Sequence, residues 1–493
     1  MRICFVLDHA AREEPAARHS IETLASLLDA PWRVIAAGEE VGDGEAPVFA
    51  GRPADAPADC AAVIPADEWP RWELAALRVA RFEGEPLLCD RADVPSPASE
   101  RELPRPWLRS IAFMLGREEE VLDPRRDQWE CYSGFYSRMH ELGVLDRPLI
   151  NGHAAQLERR IERWCARRNA RLERVPRWKG GARFAVALTH DVDDLTLYSL
   201  KHAFRLLRQA REPSSYAFRA GLSSAARTIA RGIQRGDPYW NFHRWVTEEE
   251  RHGFRSTFYF CPPDPRIRHE YDPTYRLNDT LEFDGERLTL ARMLALLVER
   301  GWEVGLHGSY ESHLDAEELA RQRAQIERAA GRPVAGIRQH FLRFDVRETF
   351  AAQERAGFAY DATLGYNEAI GFRAGIAAPF HPWNLAERRP HALLELPLTV
   401  MDGTLFRTLR LDGPKAARAV RDHLDQVEKV GGLAVLLWHP NAADEEHFPG
   451  WWESYRATLD HLATREAWVT TAGEIASWWR EREAATAARP MSA

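Results

Sequence analysis

Cysteine is scarce in this chain. There are six among 493 residues (Cys4, Cys60, Cys89, Cys131, Cys165, Cys261), scattered and without a CxxC pair. That spacing excludes a zinc ribbon and a disulfide framework, fits a reducing compartment, and reads all six as small buried hydrophobes. Long apolar runs are absent too: no stretch approaches the ~20 residues a membrane span needs, so no span is expected. No long Lys/Arg block occurs, and 74 acidic against 66 basic residues give a formal charge of −8. A nucleic acid partner has no electrostatic footprint here. The first residues, MRICFVLDHAAREEP, place one Arg ahead of a short apolar run and turn charged by Asp8. They lack the apolar length and small-residue cleavage site of a secretory signal, so a cytoplasmic location is expected.

With 45% hydrophobic residues, the chain is long enough for about two or three domains. Residues 1–180 begin with an apolar strand at Arg2–Leu7, pass through a Pro/Ala/Gly/Asp-rich stretch near Val41–Cys60, and show a helical pattern over Asn151–Arg174. They end in the turn-forming RWKGG at Arg177–Gly181, which sets the expected boundary of an N-terminal domain of α/β or α+β type. Nothing in residues 1–180 suggests a site. Residues 181–482 alternate short apolar runs with amphipathic helices. The runs are Phe184–Thr189, Ser256–Phe260, Trp302–His307, Val334–Phe341, Phe358–Leu364, Leu393–Val400, Leu433–Trp438 and Ala467–Thr470. Helix caps are legible at Asp315 with Glu318 and Gly331, at Asp345 with Glu348 and Gly357, and at Thr471 with Glu474. Repeated strand then helix predicts an α/β fold, a distorted parallel (β/α) barrel of seven to eight units. Residues 483–493 are expected to be a flexible tail.

In such a barrel chemistry gathers at the C-terminal strand ends. FAVALT ends in His190, Asp191, Asp193 and Asp194; WEVGL ends in His307; AVLLW ends in His439; VAGIRQHF carries Arg338 and His340. A lone His or Asp at a strand end is commonly structural, and Asp194 reads as a helix cap. Several strand ends in agreement point instead to one mouth. Asp191 and Asp193 are close enough to perturb each other unless a cation lies between them, and Asp with His suits zinc, with cobalt or nickel as alternatives.

These motifs resemble those of the polysaccharide deacetylases, the family-four carbohydrate esterases, over about Phe184–Trp479, within a bacterial subgroup that carries an added N-terminal domain. The resemblance implies a distorted barrel and a metal-dependent hydrolase that removes an N-acetyl or similar acyl group from an amino sugar in a saccharide or polysaccharide precursor. In THDVDD it makes Asp191 the catalytic base and Asp193 a metal ligand. EVGLHGSYESH supplies His307 as the first histidine of the metal motif, but Glu311 stands where the second is expected and His313 follows two residues on. Either becomes the third ligand, or the metal is held by fewer ligands and more weakly. In IRQHFLRFD, Arg338 inherits the orienting of the base, while His340 or Arg343 stands in for the missing proline and tyrosine. Arg373 in GFRAG lies near the fourth motif, and His439 in LLWHP inherits the general acid.

The implied reaction is amide hydrolysis assisted by a divalent metal ion, zinc foremost, with a backbone N–H near Tyr310 as an oxyanion donor and the N-acetylated saccharide as partner. Among aromatic residues Trp240, Trp245, Trp383 and Trp438 are the candidates for sugar contact. Two rivals remain. One is a same-fold amidohydrolase acting on a small non-sugar amide in a pocket closed by the inserts Leu195–Trp240 and Cys261–Glu286. The other is a catalytically inactive saccharide-binding or scaffold protein, with a metal-free site. Oligomeric state leaves no mark in the sequence.

Overall fold

A computed structural model of the chain describes residues 1–90, 94, 96–197, 207, 216–230, 237–262 and 269–487. The chain opens with a parallel four-stranded sheet ordered β2-β1-β3-β4, formed by β1 (Arg2–Leu7), β2 (Trp32–Ala36), β3 (Glu45–Gly51) and β4 (Ala62–Pro65). The helices Pro15–Ser26, Pro106–Leu115 and Leu149–Ala166 pack together on it. Its inner strand β1 is almost wholly buried, in keeping with its continuous apolar run. A hairpin of β5 (Arg78–Phe82) and β6 (Glu85–Cys89) follows.

Nine parallel strands then build one curled sheet. These are β7 (Phe184–Val192), β8 (Thr257–Phe260), β11 (Glu303–Gly308), β12 (Gly336–Gln339), β13 (Tyr360–Asp361), β16 (Leu394–Glu395), β17 (Leu398–Met401), β18 (Leu433–Leu437) and β19 (Ala467–Thr470). Two small hairpins, β9 (Thr280–Phe283) with β10 (Glu286–Thr289) and β14 (Trp383–Asn384) with β15 (Arg389–Pro390), lie between them. The order runs β16-β13-β12-β11-β8-β7-β18-β17. Its two ends, β16 and β17, are separated in sequence only by Leu396 and Pro397, so one bent segment bonds β13 and then β18 and closes the ring. Pro397 has no N–H to donate, which suits the switch of partner. On one side of β7, its first half pairs β19 and its second half pairs β8. The result is the distorted parallel barrel the strand and helix alternation called for.

Every run read as a barrel strand is one, although Leu393–Val400 proves to be two. Asp315 accepts from the N–H groups of Glu317 and Glu318, and Gly331, at φ 71°, closes that helix. At Asp345 the expected box does not form: the helix begins later, at Thr349, and Asp345 instead accepts from the Arg347 N–H. Residues 483–487, expected in a tail, continue the helix Ala472–Thr486 and bridge to Trp32, and residues 488–493 lie outside the described residues. No described helix is long and apolar enough to cross a membrane. All six cysteines are buried, and none forms a disulfide among the described residues.

One hydrophobic core runs from the first sheet into the barrel, joining Trp107, Leu145 and Ile150 to Phe344, Tyr366 and Ile376. A buried ionic network crosses the same contact. Glu120 receives Arg117 at 2.8 Å and Arg373 at 2.6 Å, and these cations overcome burial to hold its carboxyl down at about 2. Charges this deep persist only when fully paired.

Candidate active site

The strand ends converge as parallel register dictates. His307, at the end of β11, lies opposite Arg338 on β12, and β7 delivers Asp191 and then Asp193 from the neighbouring strand pair. Gly308 lets β11 press against β12 here, since a side chain at that position would meet the Gln339 amide. After β12 the chain turns at His340–Leu342 with Phe341 at φ 61° and Leu342 at φ 54°. Bulky residues rarely adopt this left-handed conformation, and such strain gathers at functional sites.

Asp193, His307 and His340 offer donor atoms that all lie within 4.8 Å of one another. Asp193 Oδ1 is 3.4 Å from His307 Nε2 and 3.4 Å from His340 Nε2. It is buried and makes no hydrogen bond. His307 Nδ1 lies 2.9 Å from the Arg338 carbonyl, an acceptor, so Nδ1 carries a proton and Nε2 is the nitrogen turned toward Asp193. In the neutral ring Nε2 would offer its lone pair to a cation placed beside the carboxylate. Ligands on a tetrahedron of radius 2.0–2.1 Å stand roughly 3.4 Å apart, which is the spacing of Asp193 Oδ1 from each of the two histidines. The donor set therefore fits a divalent metal ion.

Around this centre Asp191 Oδ1 accepts from Arg338 at 3.1 Å, while its Oδ2 lies 4.0 Å from His307 Nε2. Arg338 is fixed by the Ala362 carbonyl at 2.8 Å and the Thr189 hydroxyl at 2.7 Å. His439 presents Nε2 to Asp193 Oδ2 at 3.5 Å. Burial would lower the His439 pKa, but the Asp402, Asp193 and Asp191 carboxylates together raise it to about 9. Burial likewise opposes ionisation of Asp193, yet the three histidines hold its carboxyl far below the usual range. These groups open into a cavity of about 280 Å³ whose walls include Trp129, Phe341 and Trp451. That volume is near the lower end of small-molecule sites. A wider cleft of about 480 Å³ at the opposite strand ends, beside Glu303 and Trp468, holds no comparable cluster.

Several expected site residues stand elsewhere. Glu311 is 48% exposed and pairs with Arg343 at 2.8 Å, outside the three-residue cluster. His313 is also outside it; burial first, then Arg343, lowers its pKa to about 4. Glu311 precedes, and His313 lies in, the 3₁₀ turn after β11, away from the centre, whereas His340, directly after the adjacent strand β12, is already there. The Tyr310 N–H donates to Asp272 at 2.7 Å and is not available to an oxyanion. Arg343 grips the Tyr310 carbonyl, Glu311 and Glu130. Arg373 belongs to the Glu120 network, and Trp438 is fully buried. Trp245 is buried, Trp383 stacks on His19, and Trp240 lies by Arg287, so none of the four tryptophans named from sequence lines the cavity. Half of the insert Leu195–Trp240, and residues 263–268 of the insert Cys261–Glu286, lie outside the described residues.

Sequence reasoning passed over Asp402. It sits just beyond β17 and its Oδ1 lies 2.8 Å from His439 Nδ1. A carboxylate after an apolar strand was the available signal. Trp129 and Trp451 had none.

No family model matches the sequence, and no curated protein matches it. Among solved structures it is similar to a protein described as a polysaccharide deacetylase from Mycobacterium smegmatis, at 19% identity and TM-score 0.41, covering 64% of this chain and 96% of that one. It is similar to PuuE allantoinase at 15% identity and TM-score 0.40, over 62% and 93%. A CE4-family pseudoenzyme from Bacillus anthracis matches at 13% identity and TM-score 0.25, over 59% and 65%.

Proposed function

We propose that this protein is a metal-dependent hydrolase that removes an N-acetyl group from an amino sugar in a saccharide or polysaccharide precursor. The observation that carries the reading is the unpartnered, buried Asp193 Oδ1 held 3.4 Å from Nε2 of both His307 and His340. Asp193, His307 and His340 would hold the cation, zinc foremost with cobalt or nickel as alternatives. When bound, it supplies a water of lowered pKa and polarises the acyl oxygen.

The chain's own residues do the rest. Asp191, oriented by the buried Arg338 guanidinium, takes the proton of the attacking water. Asp402 accepts the Nδ1–H of His439, which leaves Nε2–H of the imidazolium directed at the cavity. From there the proton passes to the departing amine, a poor leaving group until protonated. Acetate and a free amino sugar result. Phe341 and Trp129 line the cavity beside these groups.

The test is elemental analysis of protein purified without chelators, joined to acetate release from N-acetylglucosamine oligomers. About one equivalent of metal, lost in Asp193→Ala and His307→Ala together with turnover, is expected. A wild-type protein that stays empty after incubation with zinc, cobalt or nickel would instead favour the inactive saccharide-binding reading. A loaded protein that releases nothing from saccharides but cleaves small amides would favour the amidohydrolase.

A further inference from the structure

We infer that Trp129, carried to the barrel mouth by a turn of the N-terminal region, is a specificity-determining wall that stacks on a pyranose ring of the N-acetylated saccharide. This rests on the function proposed above. Among the described residues, Trp129 alone from residues 1–180 lines the cavity that holds Asp193, His307 and His340. It is half-buried, unlike the core tryptophans.

The turn that presents it is built rather than loose. Asp127 Oδ1 accepts the N–H groups of both Trp129 and Cys131 at 2.9 Å, and the Asp127 N–H donates to the Cys131 carbonyl at 2.9 Å. Glu130 completes it in the left-handed region at φ 58°. The barrel grips it from outside as well. The Tyr310 hydroxyl donates to the Trp129 carbonyl at 2.9 Å, Glu130 pairs with Arg343, and Cys131 Sγ lies 3.4 Å from the Phe341 carbonyl.

The Trp129 ring lies 6.1 Å from that of Phe341, tilted by 37°. Phe341 is the residue with strained φ that directly follows His340. Two aromatic rings are thus fixed beside the proposed metal, and Trp451 lines the same cavity. Asn367, Glu368 and Asn441 also line it. A pyranose offers C–H faces to aromatic rings and hydroxyls at its edge to amides and carboxylates, and this lining meets both. A small amide would need no such second wall.

The experiment uses full-length, metal-loaded protein and N-acetylglucosamine with its β-1,4 oligomers. We expect Trp129→Ala to raise KM for the oligomers about tenfold, a loss of one aromatic contact, while kcat, metal content and melting temperature stay near wild type. Trp129→Phe should fall between, and Trp129→Leu, which keeps apolar bulk, should resemble Ala. An unchanged KM in the Ala and Leu variants overturns the inference and leaves the deacetylase reading intact. Loss of metal or of melting temperature in all three variants makes Trp129 a packing residue and also overturns it. If loaded wild type neither binds nor hydrolyses these saccharides, the functional reading fails first and takes the inference with it.

Discussion

Asp402 holds His439 by two hydrogen bonds at once, from its backbone N–H at 2.7 Å and from its ring Nδ1 at 2.8 Å. The carboxylate is fully buried, so it fixes the tautomer and orientation of the ring and stabilises its charged form. Asp402→Asn should lower kcat by about 10²–10⁴, the worth of a positioned general acid. Removing the carboxylate also removes the largest influence raising the His439 pKa. The acid then loses its proton at lower pH, so the alkaline limb of kcat should move down by about one pH unit or more. A kcat–pH profile that keeps its alkaline limb in place would refute this role.

The third metal ligand separates His340 from the two residues that sequence favoured. His340→Ala should lose metal, since its Nε2 faces Asp193 Oδ1 at 3.4 Å. Glu311→Ala and His313→Ala should retain it, because neither belongs to the cluster. Metal content per chain, measured on all three, decides between them.

Arg373 stands in a buried ion pair with Glu120 and does not line the cavity. Arg373→Ala strands the Glu120 carboxylate with Arg117 as its remaining cation, and breaking such a pair costs about 3–5 kcal/mol. Urea unfolding should show that loss. Metal content of the folded fraction should be unaffected.

Buried neutral histidines set an acid limit on stability. His423 is fully buried against Phe372, and burial alone pushes its pKa down to about 4; burial does the same to His153 and His19. Their folded pKa values lie below the unfolded value of 6.5. The unfolded chain therefore takes up protons first, and stability present above pH 6.5 is lost as pH falls toward 4. Each such histidine removes about 2 kcal/mol between pH 6.5 and about pH 5. Unfolding curves at the two pH values should show the loss, and His423→Gln should reduce it.

The sequence by itself determined the barrel and the main members of its mouth. Apolar strands that bury both faces, alternating with capped helices such as Ala316–Ala330, have few other folds open to them. Strand ends fixed by that alternation carry Asp191, Asp193, His307, Arg338 and His439 to one side, because parallel strands end together. What only the tertiary structure decided is which groups meet across strands and from outside the barrel. His340, rather than Glu311 or His313, stands beside Asp193 and His307 because register pairs β11 with β12, and closeness in sequence to His307 gives no such contact. Asp402 meets His439 through the pairing of β17 with β18, and Trp129 arrives from residues that precede the barrel altogether. A metal site and a cavity wall need atoms within a few ångströms of one another. Linear spacing reports that distance only inside one turn or one strand, and chain packing sets it everywhere else.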